Sequence, residues 1–583
     1  MKPISSNMFK LTAISAMILS ATSASAALYE IIEISPPSAF ESAYGVAIQP
    51  GNINISDPEA KKLGCFLASA DETECKDFRL AGETRRVATH DGQAVDGVSY
   101  REEVAFGLDI GFDYIQDQRD FEIYCRRFLG YATCDTWASV HWNEWDKERR
   151  GNTSPNATAF IEGEQTPLTV SGAGNENIII NSLTSNAEPI GIKIAAGDVA
   201  GFRRNSVQAL GVAIKTSTED NNSDDNWPQT RAWKTNGTYT VGSTAERASN
   251  DRGEFYTSKG TIWDDAGHTI KIPWPSGNSN HNNRLAQGSV RDFVIDKDDN
   301  GDDIIYAIGY NTFYSDQNLM QASVSILKIE GDDTLSFTNT KPVAEATVRE
   351  NGNSGDRIYS HSLLTAVNKH GIAIGEAKLS RAESGAYANR LFVVPEINDP
   401  KANFLNGSLF FAGAGGKAGA INNFNEIVGQ IDTEETREVG GKPRRKRGFI
   451  YPYGTLEQGS VPDRQAIFNN RAWLLDDLTN DGNVTGHNNQ YRILDATDIN
   501  DAGVISATAL RCIGGYDSTA HNAQCGAGKG QEKTVAVKLV PIAGKTHEDI
   551  SPRGMDDLVV ERNGAGLGLW SLILGGLLWF RRK

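Results

Sequence analysis

Residues 495–509 read DATDINDAGVISATA, and two earlier stretches repeat their design: TAVNKHGIAIGEA from Thr365 and GAINNFNEIVGQI from Gly419. Each carries a small residue, an Asn before a turn, and then apolar alternation. The shared positions are Ala366, Asn368, Gly371, Ile374 and Gly375; Ala420, Asn422 or Asn423, Ile427, Val428 and Gly429; and Ala496, Asn500, Gly503, Val504 and Ile505. Asn or Asp with Gly supplies a tight turn, because these residues tolerate backbone shapes that others avoid. Alternating Ile and Val then supply half-buried strands. VRDFVIDKDDNGDDIIYAIGY, from Val290 to Tyr310, is a looser copy; AYGVAIQ from Ala43 and VQALGVAIK from Val207 are looser still.

After each unit comes a polar loop and a second apolar run: VSILKI from Val324, RLFVVPEI from Arg390, RGFIYPY from Arg447 and TVAVKLVPI from Thr534. The order predicts strand, tight turn, strand, long loop, strand. Ala366 to Ala420 is 54 residues and Ala420 to Ala496 is 76. A solenoid would space its repeats more evenly. Small sheets with variable loops, each burying its faces against neighbours, fit better. The expected fold class is all-β, a propeller-like assembly of about five to seven small antiparallel sheets. An irregular β-sandwich or two β domains is the alternative. The 58 Gly residues and the many Asn, Asp and Ser agree with short strands and turns. No long stretch away from the two ends keeps a helical period.

The ends differ from the body. The first 30 residues, MKPISSNMFKLTAISAMILSATSASAALYE, have Lys2 and Lys10, an apolar run from Leu11 to Leu19, and a small-x-small site at Ala24 and Ala26. These features predict a secretory signal peptide, cut by signal peptidase after Ala26. The last residues read NGAGLGLWSLILGGLLWFRRK. Asn563 to Phe580 carries no charge, and eighteen helical residues reach about 27 Å, near the hydrocarbon thickness of a bilayer. Arg581, Arg582 and Lys583 would stop transfer and stay on the cytoplasmic side. The expected domains are a signal peptide (1–26), a cysteine- and aromatic-rich β region (27–199), the repeat body (200–548), a linker (549–563), a transmembrane helix (564–580) and a basic end (581–583). Expected localisation is export across the inner membrane, transient or permanent anchoring by the C-terminal helix, then the cell surface or medium. The net charge of −17 disfavours nucleic acid as a partner.

Three resemblances follow from these residues. Gly564, Gly566 and Gly568, the run with Gly575 and Gly576, and the basic end resemble the GlyGly-CTERM sorting tail of bacterial surface proteins. That resemblance implies a rhomboid-like sorting protease, rhombosortase, as a partner. This chain has Gly-Ala-Gly where that family has adjacent glycines. The repeat units resemble HAF repeats, and RAWLLDDLTNDGNVTGHNNQYRILDATDINDAGVISATAL matches them best. Signal peptide, repeats and tail together resemble a secreted bacterial family of unknown function. No activity and no catalytic residues come with it.

Six cysteines stand in three local pairs, Cys65 and Cys75, Cys125 and Cys134, Cys512 and Cys525. In an exported chain they read as disulfides between neighbours; the absence of CxxC and HxxxH disfavours zinc. Asp296, Asp298, Asn300 and Asp302, around Gly301, are spaced as in a calcium loop. Ala307 stands where an EF-hand needs Glu, so a β-turn with solvated acids is the competing reading. The basic run KPRRKR, Lys442 to Arg447, reads as a solvated loop. There is no GxSxG and no HExxH, and the nine His are scattered. The expectation is a binding or structural module, with a secreted hydrolase whose site lies on the propeller axis as the alternative.

Overall fold

The three matching stretches fold alike. In the computed structural model, which describes residues 27–86, 100–101, 115–170, 172, 174–200, 203–212, 229–298, 300–314, 317–331, 334–350, 355–438, 443–454 and 462–556, each forms a hairpin closed by its Asn. The Asn368 amide donates to Ile372 O and Gly371 N returns to Asn368 O. The same pair of bonds joins Asn422 to Glu426 and Asn425, and Asn500 to Val504 and Gly503. Gly371, Asn425 and Gly503 occupy the left-handed region (φ 73°, 61° and 89°), which Gly and Asn reach at least cost.

Seven sheets of three or four strands hold most of the strands among the described residues, in chain order with each strand beside the next. Sheet I is Ser42–Ile48, Leu80–Arg85 and Thr158–Ile161. Sheet II is Glu176–Leu183, Pro189–Ala195 and Gln208–Leu210; sheet III is Gln229–Thr235, Tyr239–Asn250, Gly253–Asp264 and Thr269–Lys271. Sheet IV is Ser289–Lys297, Asp303–Thr312, Met320–Ile329 and Leu335–Pro342. Sheet V is Tyr359–Val367, Ala373–Leu379, Asn389–Val394 and Asn403–Phe404; sheet VI is Gly416–Ile421, Glu426–Asp432, Lys446–Pro452 and Trp473–Leu474. Sheet VII is Tyr491–Ile499, Ile505–Cys512 and Glu532–Pro541, completed from the front of the chain by Tyr29–Glu33. That strand runs antiparallel to the last, from Tyr29 opposite Pro541 to Glu33 opposite Val537. Its outer edge is covered by Asn488, which receives from Ile31 N and donates to Tyr29 O.

No sheet closes on itself, but the first strands do meet. Each lies against the first strands before and after it, and that of sheet VII lies against that of sheet I. Apolar clusters fill the spaces between neighbours. Ile374 and Val393 of sheet V meet Ile427 and Phe449 of sheet VI. Val428 and Ile450 of sheet VI meet Ile493, Ile505 and Val537 of sheet VII. Ala536 and Val540 of sheet VII meet Ala43 and Leu80 of sheet I. Burying one such Val or Ile is worth about 1.5–3 kcal/mol.

A shared irregularity explains the repeat glycine. Each first strand carries an extra residue against its partner at Val46, Asn181, Trp233, Arg291, Thr365, Gly419 and Thr497, and those of sheets V and VII carry a second, at Ser360 and Leu494. Such a bulge bends and twists the strand. Opposite the residue before it stand Gly82, Gly191, Gly242, Gly309, Gly375, Gly429 and, in sheet VII, Ala507. A Cβ on Gly191, Gly242 or Gly309 would run into the carbonyl oxygen of Ile179, Arg231 or Ser289. The register also corrects the sequence alignment: Ala366 and Ala420 correspond to Asp498, not to Ala496.

Two helices correct the expectation of strands alone. Gln118–Tyr124 and Cys134–Arg149 interrupt sheet I between its second and third strands. Asp117 caps the first through a reciprocal bond with Asp120. Their apolar faces, with Phe121, Ala138 and Trp145, pack on Phe255, Leu285, Tyr310 and Met320 of the sheet III–IV region. Among the described residues, no helix is long and apolar enough to cross a membrane; the run 564–580 lies outside them.

Candidate functional site

The residue after the shared bulge is Ala47, Ser182, Lys234, Asp292, Ala366, Ala420 and Asp498, in sheets I to VII. Shared register puts the seven at one level of the ring. Asp292 is buried; Lys234 and Asp498 are partly buried. Asp292 Oδ1 accepts from Phe293 N (2.9 Å) and Oδ2 from Val367 N of sheet V (3.1 Å). Asp498 Oδ1 accepts from Ile499 N (3.0 Å) and Oδ2 from Ile48 N of sheet I (3.0 Å). Each carboxylate therefore ties its own sheet to the next. Burial pushes both carboxyls above the usual range, against the pull of Lys234 and of those amides. Burial pulls the Lys234 ammonium down, yet Asp498, Asp292 and Asp501 outweigh it and hold it above the ordinary lysine range. Sheets III and VII are not neighbours, so this attraction acts across the ring.

All four carboxylate oxygens accept backbone amides, so each acid fastens its own sheet to the next.

A second set of polar groups runs along the turns. Asn368 Nδ2 donates to Asn422 O (3.1 Å), Asn422 Nδ2 to Asn500 O (3.1 Å), and Asn500 Nδ2 to Gln49 O (3.1 Å). Gln49 Nε2 continues to Ser185 O (2.7 Å). The Asn side-chain oxygens meanwhile accept from their own turns, at Ile372 N, Glu426 N and Val504 N. One side chain closes a hairpin and binds the following sheet, which is why the repeats carry Asn there.

Residues 220–583 match the family described as Protein of unknown function (DUF3466). The chain belongs to that family. No protein of curated function matches it. Solved structures similar to this DUF3466 chain include a thermostable family-43 glycoside hydrolase (14% identity, 44% of this chain and 82% of that one, TM-score 0.21). A putative glycoside hydrolase from Parabacteroides distasonis is another (9%, 53% and 85%, TM-score 0.21). A glycosyl hydrolase from Bacteroides ovatus is a third (11%, 56% and 85%, TM-score 0.21). Likeness at that level assigns neither fold nor chemistry.

The other sequence-derived residues of the DUF3466 chain can now be placed. Asp298 stands where Asn368, Asn422 and Asn500 do in their sheets. Its Oδ1 accepts from Asn300 N (2.8 Å) and Asp302 N (2.9 Å), and Gly301 (φ 84°) completes the turn. Asp302 pairs with Lys328 at 2.7 Å, and Asp296 accepts from Lys297 N. Among the described residues no group of three or more His, Cys, Asp or Glu is gathered as metal ligands. All three expected disulfides are formed: Cys65–Cys75, Cys125–Cys134 between the two helices, and Cys512–Cys525 clipping the last hairpin. The basic run is not a solvated loop throughout. Arg444 is fully buried and donates to Thr436 O, Gly413 O and Ser384 O; Arg447 pairs with Asp476 at 3.0 Å. His361 is buried, and burial with Lys378 and Arg357 pushes it down to about 3, so it stays neutral. Ala24, Ala26, Gly564, Gly566, Gly568, Arg581, Arg582 and Lys583 lie outside the described residues.

The sequence reading missed Lys234, Asp292 and Asp498. In RAWKTN and DATDIN the charged residue stands two before the turn Asn, at Lys234 and Asp498, where the other repeats have Ala366 and Ala420. Alignment on the Asn would have exposed those two; Asp292 stands six before its turn residue Asp298, and only the strand pairing places it at the same level.

Proposed function

We propose that this protein is an exported seven-bladed β-propeller that acts outside the cell as a binding or structural module. The ring of first strands and the completion of the last sheet by the first strand support the propeller. The observation that carries the module reading is the use of Asp292 and Asp498. Every oxygen of the two acids on the axis is engaged by backbone donors, so the middle of the ring is organised to hold sheets together. The Asn relay supports reading the units as HAF-like repeats.

Export rests on the two ends. The signal peptide delivers the body, and the glycine-bearing apolar tail with its three cations directs it to a rhomboid-like protease and the cell surface. Tracking the intact C-terminus in cells with and without that protease tests this. Loss of the tail only where the protease is present is expected; loss at the same rate in its absence would refute sorting. A polysaccharide panel tests the module: retention without new reducing ends is expected, whereas hydrolysis abolished by Asp292→Asn or Asp498→Asn would favour the hydrolase. A structural calcium ion at Asp296, Asp298, Asn300 and Asp302 is a subsidiary proposal. It is withdrawn if a chelator leaves the wild-type melting temperature unchanged.

A further inference from the structure

The level that follows the bulges holds Ala47, Ser182, Ala366 and Ala420 from sheets I, II, V and VI. These side chains are too short to bridge the ring. Sheets III, IV and VII supply Lys234, Asp292 and Asp498 at the same level. Asp501, in the turn of sheet VII, is the remaining charge that acts on Lys234. Both acids are committed to inter-sheet bonds, at Val367 N and Ile48 N. Two carboxylates held at one level and shielded from water repel each other and must protonate or find a cation.

We propose that the Lys234 ammonium is the built-in cation of the ring, neutralising Asp292 and Asp498 across the axis and letting the seven sheets close without a bound metal. This rests on the ring arrangement and is independent of export and sorting. It has a chemical corollary. If Lys234 stands in for a cation, removing its charge while keeping its length leaves two carboxylates to which a hard divalent ion such as Ca²⁺ binds through oxygen.

The test uses the mature chain and melting temperature at pH 8, with and without millimolar CaCl₂. Lys234→Met is expected to melt several degrees below wild type in chelator and to regain part of that loss with calcium. Lys234→Arg, which keeps the charge, is expected to melt near wild type. Adding Asp498→Asn to Lys234→Met removes the calcium response, which separates this level from the Asp298 turn. Equal losses in the Met and Arg variants would make Lys234 a packing residue and overturn the proposal. A Met variant that melts like wild type, or that ignores calcium, would overturn it too.

Discussion

Gly242 shows how much one missing atom decides. It faces the bulge at Trp233, and any Cβ there meets the Arg231 carbonyl. Relief requires backbone movement in the first strand, so Gly242→Ala is expected to cost about 2–4 kcal/mol by denaturant unfolding, against less than about 0.5 kcal/mol for Thr238→Ala at the exposed turn of the same sheet. Gly375 and Gly429 were legible in the sequence, as the Gly of an apolar alternation, whereas Gly242 lies in a stretch that was not read as a repeat. The reason for these glycines was not legible, because a bulge leaves no mark until two strands are paired. Asp432 gives the pH prediction. Burial pushes its carboxyl up to about 6, against Lys446 and the Gly415 amide. The folded chain thus holds this proton more tightly than the unfolded chain. Its contribution is fully present below pH about 4 and is lost as pH rises through about 6, on the order of 3 kcal/mol in all. Relative to Asp432→Asn, wild type should lose stability between pH 4 and 7 in paired urea titrations; parallel curves would contradict this.

At the scale of elements, the hairpins with their Asn were the most legible part of the fold. Their local signals agree: turn residue, left-handed Gly or Asn, and alternating strands. The two helices were missed because Trp137, His141, Trp142 and Trp145 carry the packing face in a segment of otherwise charged and polar residues. Aromatics at helical spacing were read as composition only. The basic run misled for the opposite reason, since Arg444 reaches back to the carbonyls of Gly413 and Ser384, 31 and 60 residues away, as well as to Thr436 O. Asn422 joins turn and ring, and its loss should exceed that of an ordinary turn residue. Its amide serves Phe424 N, Glu426 N, Asn500 O and the Glu426 carboxylate. Asn422→Ala strands several buried partners, so about 2–4 kcal/mol is expected. Asn236→Ala, at the more exposed turn of sheet III, should cost about 1 kcal/mol. Similar losses at both sites would show that the relay between sheets adds nothing.

At the scale of the molecule, the sequence announced repeats but not how they end. The pairing of Tyr29–Glu33 with Glu532–Pro541 joins residues about as far apart as the chain allows, and no periodicity reports it. Loop closure over that distance is entropically costly, though the cost grows only slowly with length. It is offset by the burial of Tyr29 and Ile31 and by the bonds to Asn488. The consequence is that sheet VII cannot be completed by local folding. A chain lacking residues 27–33 keeps three of its strands but exposes the edge of Glu532–Pro541, and an open edge invites pairing with another chain. Such a deletion is expected to lower the melting temperature and to shift part of the protein to oligomers in size-exclusion chromatography. The peptide ALYEIIE, added in trans, should restore both by occupying the vacant edge. If the deleted chain instead stays monomeric and melts like wild type, sheet VII is stable with three strands and the front of the chain is ornament to the ring. If the peptide fails while the deletion destabilises, the strand matters through its covalent tether, which holds it at a local concentration no free peptide reaches.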